Sequence, residues 1–201
     1  MSTASPLEAL AVIASLLSVW LTIHRRISCW PVGLVAVAAY FGLFARERLY
    51  ADAALQVIYF AQGVYGWHAW HRDERRAAPP IRTFSIRWRL ILMAVLAAVA
   101  WGTGALLARR TDAAAPHWDA AASATSLAAN QLLTRRYLEN WVLWIAVDAV
   151  YVGLFSWKGL YLSAGLYVLF LVMAAAGLRR WMQERRMQVA MHELAPEAAA
   201  L

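Results

Sequence analysis

Long apolar runs alternate with short charged clusters along this chain. Crossing roughly 30 Å of hydrocarbon at about 1.5 Å per residue takes about 20 residues, and seven runs approach that length. They start near Ala9, Ile27, Leu49, Leu90, Trp118, Leu138 and Gly159, and end near Ile23, Phe44, Trp70, Ala108, Leu133, Ser156 and Trp181. The pattern predicts an all-α polytopic membrane protein of seven transmembrane helices. The fifth run is diluted by Asp119, Ser123, Thr125, Ser126, Asn130 and Gln131, so that helix needs protein or water around it rather than lipid. The first run opens with Glu8 and lacks a basic stretch before it, which argues against a cleavable signal.

The apolar runs also repeat. Shifting the chain against itself by 111 residues aligns Trp30–Trp70 with Trp141–Trp181 without a gap, and 13 of 41 positions are identical. Chance would give about three on ordinary residue frequencies. The match rests on uncommon residues: Trp30 with Trp141, Tyr40 with Tyr151, Gly42 with Gly153, Gly66 with Gly177 and Trp70 with Trp181. The offset maps helices two and three onto six and seven, so the copies run in the same direction and helix four is left over. The expected organisation is a 3+1+3 arrangement of parallel repeats: residues 1–70 as the first three-helix repeat, 71–116 as a cytoplasmic loop and linker helix, 117–181 as the second repeat, and 182–201 as a cytoplasmic tail with a frayed Ala-rich end. Repeats of this kind place a substrate site between them, near the bilayer midplane.

Composition agrees with a membrane protein: 62% of the 201 residues are hydrophobic, 15% are charged, and mean hydropathy is +0.50. A net charge of +7 could suggest nucleic acid, but 18 of the 19 basic residues are Arg in short clusters at helix ends, where they set topology instead. Loops one, three and five and the tail hold 14 of them, against five on the other side. The bias places the N-terminus outside and the C-terminus in the cytoplasm of a cell whose inner membrane holds the chain. Cys29 is the single cysteine, which excludes an intramolecular disulfide and disfavours a thiolate metal site. Neither a cofactor nor a metal is expected: His68 and His71 lack a third ligand. No phosphate-binding loop is present for ATP coupling, and no nucleophile and base pair suggests an enzyme. The expected partners are the lipid bilayer and a small solute, with room for a homo-oligomer.

Helix six offers the sharpest chemistry. Its Trp141, Trp144, Asp148 and Tyr151 fall at i, i+3, i+7 and i+10, within about 80° of one face. A mid-helix carboxylate costs on the order of 3 kcal/mol in a bilayer, so Asp148 is expected to serve a site or to pair with a neighbouring helix. Trp141 and Trp144 could alternatively be interfacial belt residues. On helix three, Asp52, Gln56, Tyr59, Gly63, Gly66 and Trp70 share a stripe; Gln56 is the better ligand, while Asp52, near Arg46 and Arg48, reads as a solvated helix-end charge. On helix five, Ser123, Ser126 and Asn130 form a polar stripe that could bind solute or hold helices together. The expected substrate-binding set is therefore Trp141, Trp144, Asp148, Gln56, Tyr59, Asn130 and Tyr151. Aromatic faces with one acid, amides and no buried basic residue suit a neutral or cationic aromatic solute, preferably with a sugar.

The segment WPVGLVAVAAYFGLFARERLYADAALQVIYFAQGVYGWHAW, with NWVLWIAVDAVYVGLFSWKGLYLSAGLYVLF after it, resembles the PnuC family of bacterial nicotinamide riboside transporters. The likeness covers roughly residues 7–181, and LYADAALQ and the Trp141, Trp144, Asp148 spacing are its most specific parts. It implies a SWEET-like fold that moves nicotinamide riboside into the cell by facilitated diffusion with alternating access, a separate kinase trapping the substrate. The resemblance carries the family's binding pattern onto Trp141, Trp144, Asp148 and Gln56; where family members have Asn at the third position, this chain has Asp148. Related members handle thiamine or riboflavin, so a thiamine carrier is the nearest rival reading and a non-transport membrane sensor a more distant one.

Overall fold

Ser5 opens the first helix: its extended backbone lets Oγ accept the Glu8 N–H at 3.2 Å, with Pro6 in the first turn, the usual chemistry of a helix start. The computed structural model describes residues 5–74, 80–110 and 116–198. Among them are seven helices: α1 (Pro6–Ile23), α2 (Cys29–Arg46), α3 (Tyr50–Glu74), α4 (Ile86–Arg110), α5 (Pro116–Thr134), α6 (Glu139–Trp157) and α7 (Tyr161–Ala198). The expected helices are all present. The segment from Met182 differs, because it continues α7 instead of leaving it. Its Met, Gln, Glu, Arg and Ala residues are good helix formers, and two of them, Glu184 and Gln188, are held by Arg25 and the Ile81 N–H.

Five helices are long and apolar enough to cross a membrane: α1, α2, α4, α6 and the Tyr161–Met191 part of α7. α3 and α5 fall short because polar residues dilute both, and two of these meet between the helices. Asn130 Nδ2 donates to Gln62 Oε1 at 2.9 Å, and Gln62 Nε2 to the Leu127 carbonyl at 3.2 Å. The interhelical reading of the α5 stripe is thus met at Asn130.

The helices pack as a closed ring in the order α1, α2, α3, α5, α6, α7 and back to α1, with α4 outside it against α5. Large apolar side chains cover the outer faces, among them Ile13 on α1, Val35 on α2, Met93 and Trp101 on α4, and Val172 on α7. A soluble monomer does not display so continuous an apolar exterior; this is a multi-pass membrane protein.

Residues 111 apart have matching geometry. Trp30 meets Trp70 edge-on with centroids 5.5 Å apart, and Trp141 meets Trp181 at 5.6 Å. Tyr40 stacks on Phe44, and Tyr151 on Phe155, both at 5.7 Å. Arg25 and Arg136 both close their loops in the left-handed region, at φ 54° and 56°, as do Arg48 and Gly159 at 60° and 72°. The ring also obeys the shift, since moving α3 against α5 by one repeat gives α7 against α1.

One end of the bundle gathers the basic loops. The segment after α3 runs along the α5–α6 loop: the Arg82 N–H donates to the Arg136 carbonyl at 3.0 Å and the Leu138 N–H to the Arg82 carbonyl at 2.9 Å. Glu139 fixes the same segment, accepting from the Phe84 N–H and from Arg89 Nε, each at 2.9 Å. Arg75 and Arg76 lie outside the described residues.

Candidate functional site

A cavity of about 450 Å³ occupies the middle of the ring, within the range of small-molecule sites. Every residue of the expected set lines it: Trp141, Trp144, Asp148 and Tyr151 from α6, Gln56 and Tyr59 from α3, and Asn130 from α5. The α6 face arises from helical spacing, and Asp148 sits at the midpoint of Glu139–Trp157. It is 5% exposed, and among the described residues no hydrogen bond or ion pair engages its carboxylate. A pairing role with a neighbouring helix is therefore absent here.

Trp141 is 2% exposed and packs on Gly177 and Trp181. That position removes the interfacial-belt reading for it. Trp144 is half-buried and touches both apolar clusters of the core. Asp52 is exposed, as its place near the start of α3 suggested, yet it also forms part of the cavity rim. Ser126 lines the cavity and Ser123 does not; both His68 and His71 are exposed.

Several lining residues were not anticipated: Ser15, Ser18 and Thr22 of α1, Trp30 and Tyr40 of α2, Asn140 of α6 and Tyr167 of α7. The signal for most of them lay in the repeat. Subtracting 111 from Ser126, Trp141 and Tyr151 gives Ser15, Trp30 and Tyr40, and adding it to Gln56 gives Tyr167. Trp30 and Trp141 carry indole N–H groups, and Asn140 a carboxamide oxygen, without hydrogen-bond partners among the described residues. Buried groups of this kind normally find a partner.

The two walls related by the repeat differ in chemistry. On the second, Asn130, Asn140, Trp144 and Asp148 line the cavity; at the matching positions of the first stand Val19, Cys29, Gly33 and Val37. At these four positions the second repeat supplies polar and aromatic side chains and the first supplies small or apolar ones, while Ser15, Ser18, Thr22, Trp30 and Tyr40 keep the rest of the first wall polar and aromatic. The charged lining residues are Asp52 and Asp148; no Arg, Lys or His lines the cavity among the described residues. Asp52 adds a second acid to the one expected of the cavity. Arg136 is 5% exposed, but it lies beyond the cavity, 4.4 Å over the Trp70 ring and paired with Asp73. Among the described residues no cluster of His, Cys, Asp and Glu could hold a metal ion.

Comparison with known proteins bears on nearly the whole chain. A family model described as nicotinamide mononucleotide transporter matches residues 5–183. The nicotinamide riboside transporter PnuC of Escherichia coli (strain K12) is 29% identical over 209 residues, covering 90% of this chain and 86% of that protein. The riboflavin/roseoflavin transporter RibM of Streptomyces davaonensis is 28% identical over 177 residues, covering 84% of this chain and 81% of its own. A solved structure described as the crystal structure of the vitamin B3 transporter PnuC superposes with a TM-score of 0.73 at 20% identity, over 90% of this chain and 82% of that one. This last likeness concerns the fold.

Proposed function

The chain belongs to the nicotinamide mononucleotide transporter family, and from that premise we propose that it carries nicotinamide riboside into the cell by facilitated diffusion with alternating access. The observation that carries this reading is the cavity's charge: two carboxylates, an aromatic α6 wall and no cation among the described lining residues. A pyridinium ring gains from indole faces and a nearby carboxylate, while amides and hydroxyls suit ribose. A phosphate would enter beside acids with no Arg or Lys to pair it, so the riboside fits better than its phosphorylated form. Phosphorylation by a separate kinase in the cytoplasm would then hold the product inside.

In this reading all seven helices span the bilayer, α5 being shielded by its neighbours and α3 turning Val57, Phe60 and Val64 outward, and the fold is SWEET-like, with α1–α3 and α5–α7 as parallel repeats and α4 as linker. The basic end faces the cytoplasm, which leaves the N-terminus outside. Trp141 and Trp144 stack the ring, Asp148 supports its charge, and Gln56, Tyr59, Asn130 and Tyr151 bind the sugar and amide. A thiamine carrier on the same fold is the second reading, favoured by the same acid and indoles, and RibM shows that relatives take other vitamins. Competition binding on the purified protein separates these readings. Nicotinamide riboside should displace a bound reporter at lower concentration than thiamine, riboflavin or nicotinamide mononucleotide; tighter binding of any of the three would overturn the assignment.

A further inference from the structure

Towards the basic loops the cavity is lined by Thr22, Cys29, Trp30, Asn140 and Trp141, all buried, and behind the two tryptophans stand the fully buried rings of Trp70 and Trp181. The cavity's other limit is the exposed Asp52 at the far end of the bundle. The solute path is therefore closed at the basic end. Two ion pairs lie on that closure: Arg25 to Glu184 at 3.3 Å and Arg136 to Asp73 at 2.7 Å.

The 111-residue shift converts one pair into the other, since Arg25 becomes Arg136 and Asp73 becomes Glu184. Each pair also crosses between the two halves of the chain, from a loop of one to the last helix of the other. Both arginines occupy left-handed backbone positions, at φ 54° and 56°, so each is presented from a tightly turned loop and not from a helix face. Arg136 additionally stacks on Trp70, the ring behind the Trp30 end of the cavity.

We infer that Arg25–Glu184 and Arg136–Asp73 are the paired latches of a gate at the basic end, and that both must open for solute to leave there. The inference rests on the alternating-access reading above. A solute passing Trp30 and Trp141 needs the C-terminal parts of α3 and α7 to move off the α5–α6 and α1–α2 loops, and those movements separate the same four side chains. Asp73 and Glu184 are the partly exposed members of the pairs and the two arginines the more buried ones, so water can take up the carboxylates when the pairs part. Two equivalent latches, one per half, also make the closure symmetric about the path.

Cys29 supplies the probe: it is the single cysteine, 2% exposed, and it lines the cavity beside Trp30. A membrane-impermeant maleimide is applied to membrane vesicles of each orientation holding the full chain. Wild type should label faster from the Asp52 end than from the basic end. In Asp73→Asn/Glu184→Gln, labelling from the basic end should rise about tenfold with binding of nicotinamide riboside retained. An unchanged basic-end rate in that variant, with binding retained, would overturn the inference. If that variant fails to bind, a second comparison decides: Asp73→Arg should label fast from the basic end, and Asp73→Arg/Arg136→Asp should return towards the wild-type rate. Equal rates in those two would likewise overturn it. The labelling reads the gate whatever the cargo, so an inability of the wild type to transport nicotinamide riboside would count against the transport reading alone.

Discussion

The Trp141 ring stands edge-on to Trp181, with centroids 5.6 Å apart and planes at 86°. Edge-to-face pairs of this separation are favourable beyond the area they bury, and this one closes over Gly177, where a Cβ would come within 2.6 Å of the Trp141 ring. Gly177→Ala should therefore lower stability by about 1 to 3 kcal/mol through overpacking. Gly153→Ala, where a Cβ meets nothing within 4 Å, should be neutral or slightly stabilising on helix propensity. Thermal unfolding of the two variants in detergent checks the contrast, and equal midpoints would refute it.

Asp148 should matter through its charge. Asp148→Asn keeps the shape and a hydrogen-bonding oxygen but removes the anion. Affinity for nicotinamide riboside should fall by about 1 to 2 kcal/mol, or roughly five- to thirtyfold in Kd, with little change for a neutral nucleoside of similar shape. Isothermal titration with both ligands reads the difference. An equal loss for the two would mean that Asp148 binds sugar hydroxyls and not the ring.

The α6 half of the cavity was legible because helical spacing alone puts Trp141, Trp144, Asp148 and Tyr151 on one face, and the structure brings all four to the cavity. The other wall was less legible. Val19, Gly33 and Val37 are ordinary lipid-compatible residues whose types say nothing of a cavity, and only their repeat relation to Asn130, Trp144 and Asp148 hints that they face one. Arg136 illustrates a second limit: its position in a basic loop suggested topology, whereas its stacking on Trp70 and pairing with Asp73 depend on the end of α3, far away in the chain. The continuation of α7 past Trp181 was hidden by the charged residues that follow, which mark the end of an apolar run and not the end of a helix.

Gly159 tests the loop that joins α6 to α7. Its φ is +72°, and a Cβ there would meet nothing within 4 Å, so a substitution is opposed by backbone conformation and not by packing. Gly159→Val should cost about 1 to 2 kcal/mol. The matching loop already tolerates Arg48 at φ 60°, and Arg48→Gly should accordingly be neutral or mildly stabilising. Chemical unfolding monitored by tryptophan fluorescence can rank the two; a Gly159→Val protein as stable as wild type would contradict the argument.

The proposed orientation, with the basic end of the bundle in the cytoplasm, is tested at the two ends of the chain. A reporter fused after Leu201 should be active in the cytoplasm, and one fused before Met1 should read as external. Cytoplasmic placement of both ends would break the seven-span reading.

The central claim is that this cavity passes nicotinamide riboside without an energy source. Purified protein in liposomes, with no ATP and no ion gradient, should take up labelled nicotinamide riboside until inside and outside concentrations are equal. Excess unlabelled riboside should compete, nicotinamide mononucleotide should not, and Trp144→Ala/Asp148→Asn should slow the uptake. Uptake no faster than in protein-free liposomes, or a double variant transporting at the wild-type rate, would contradict the account.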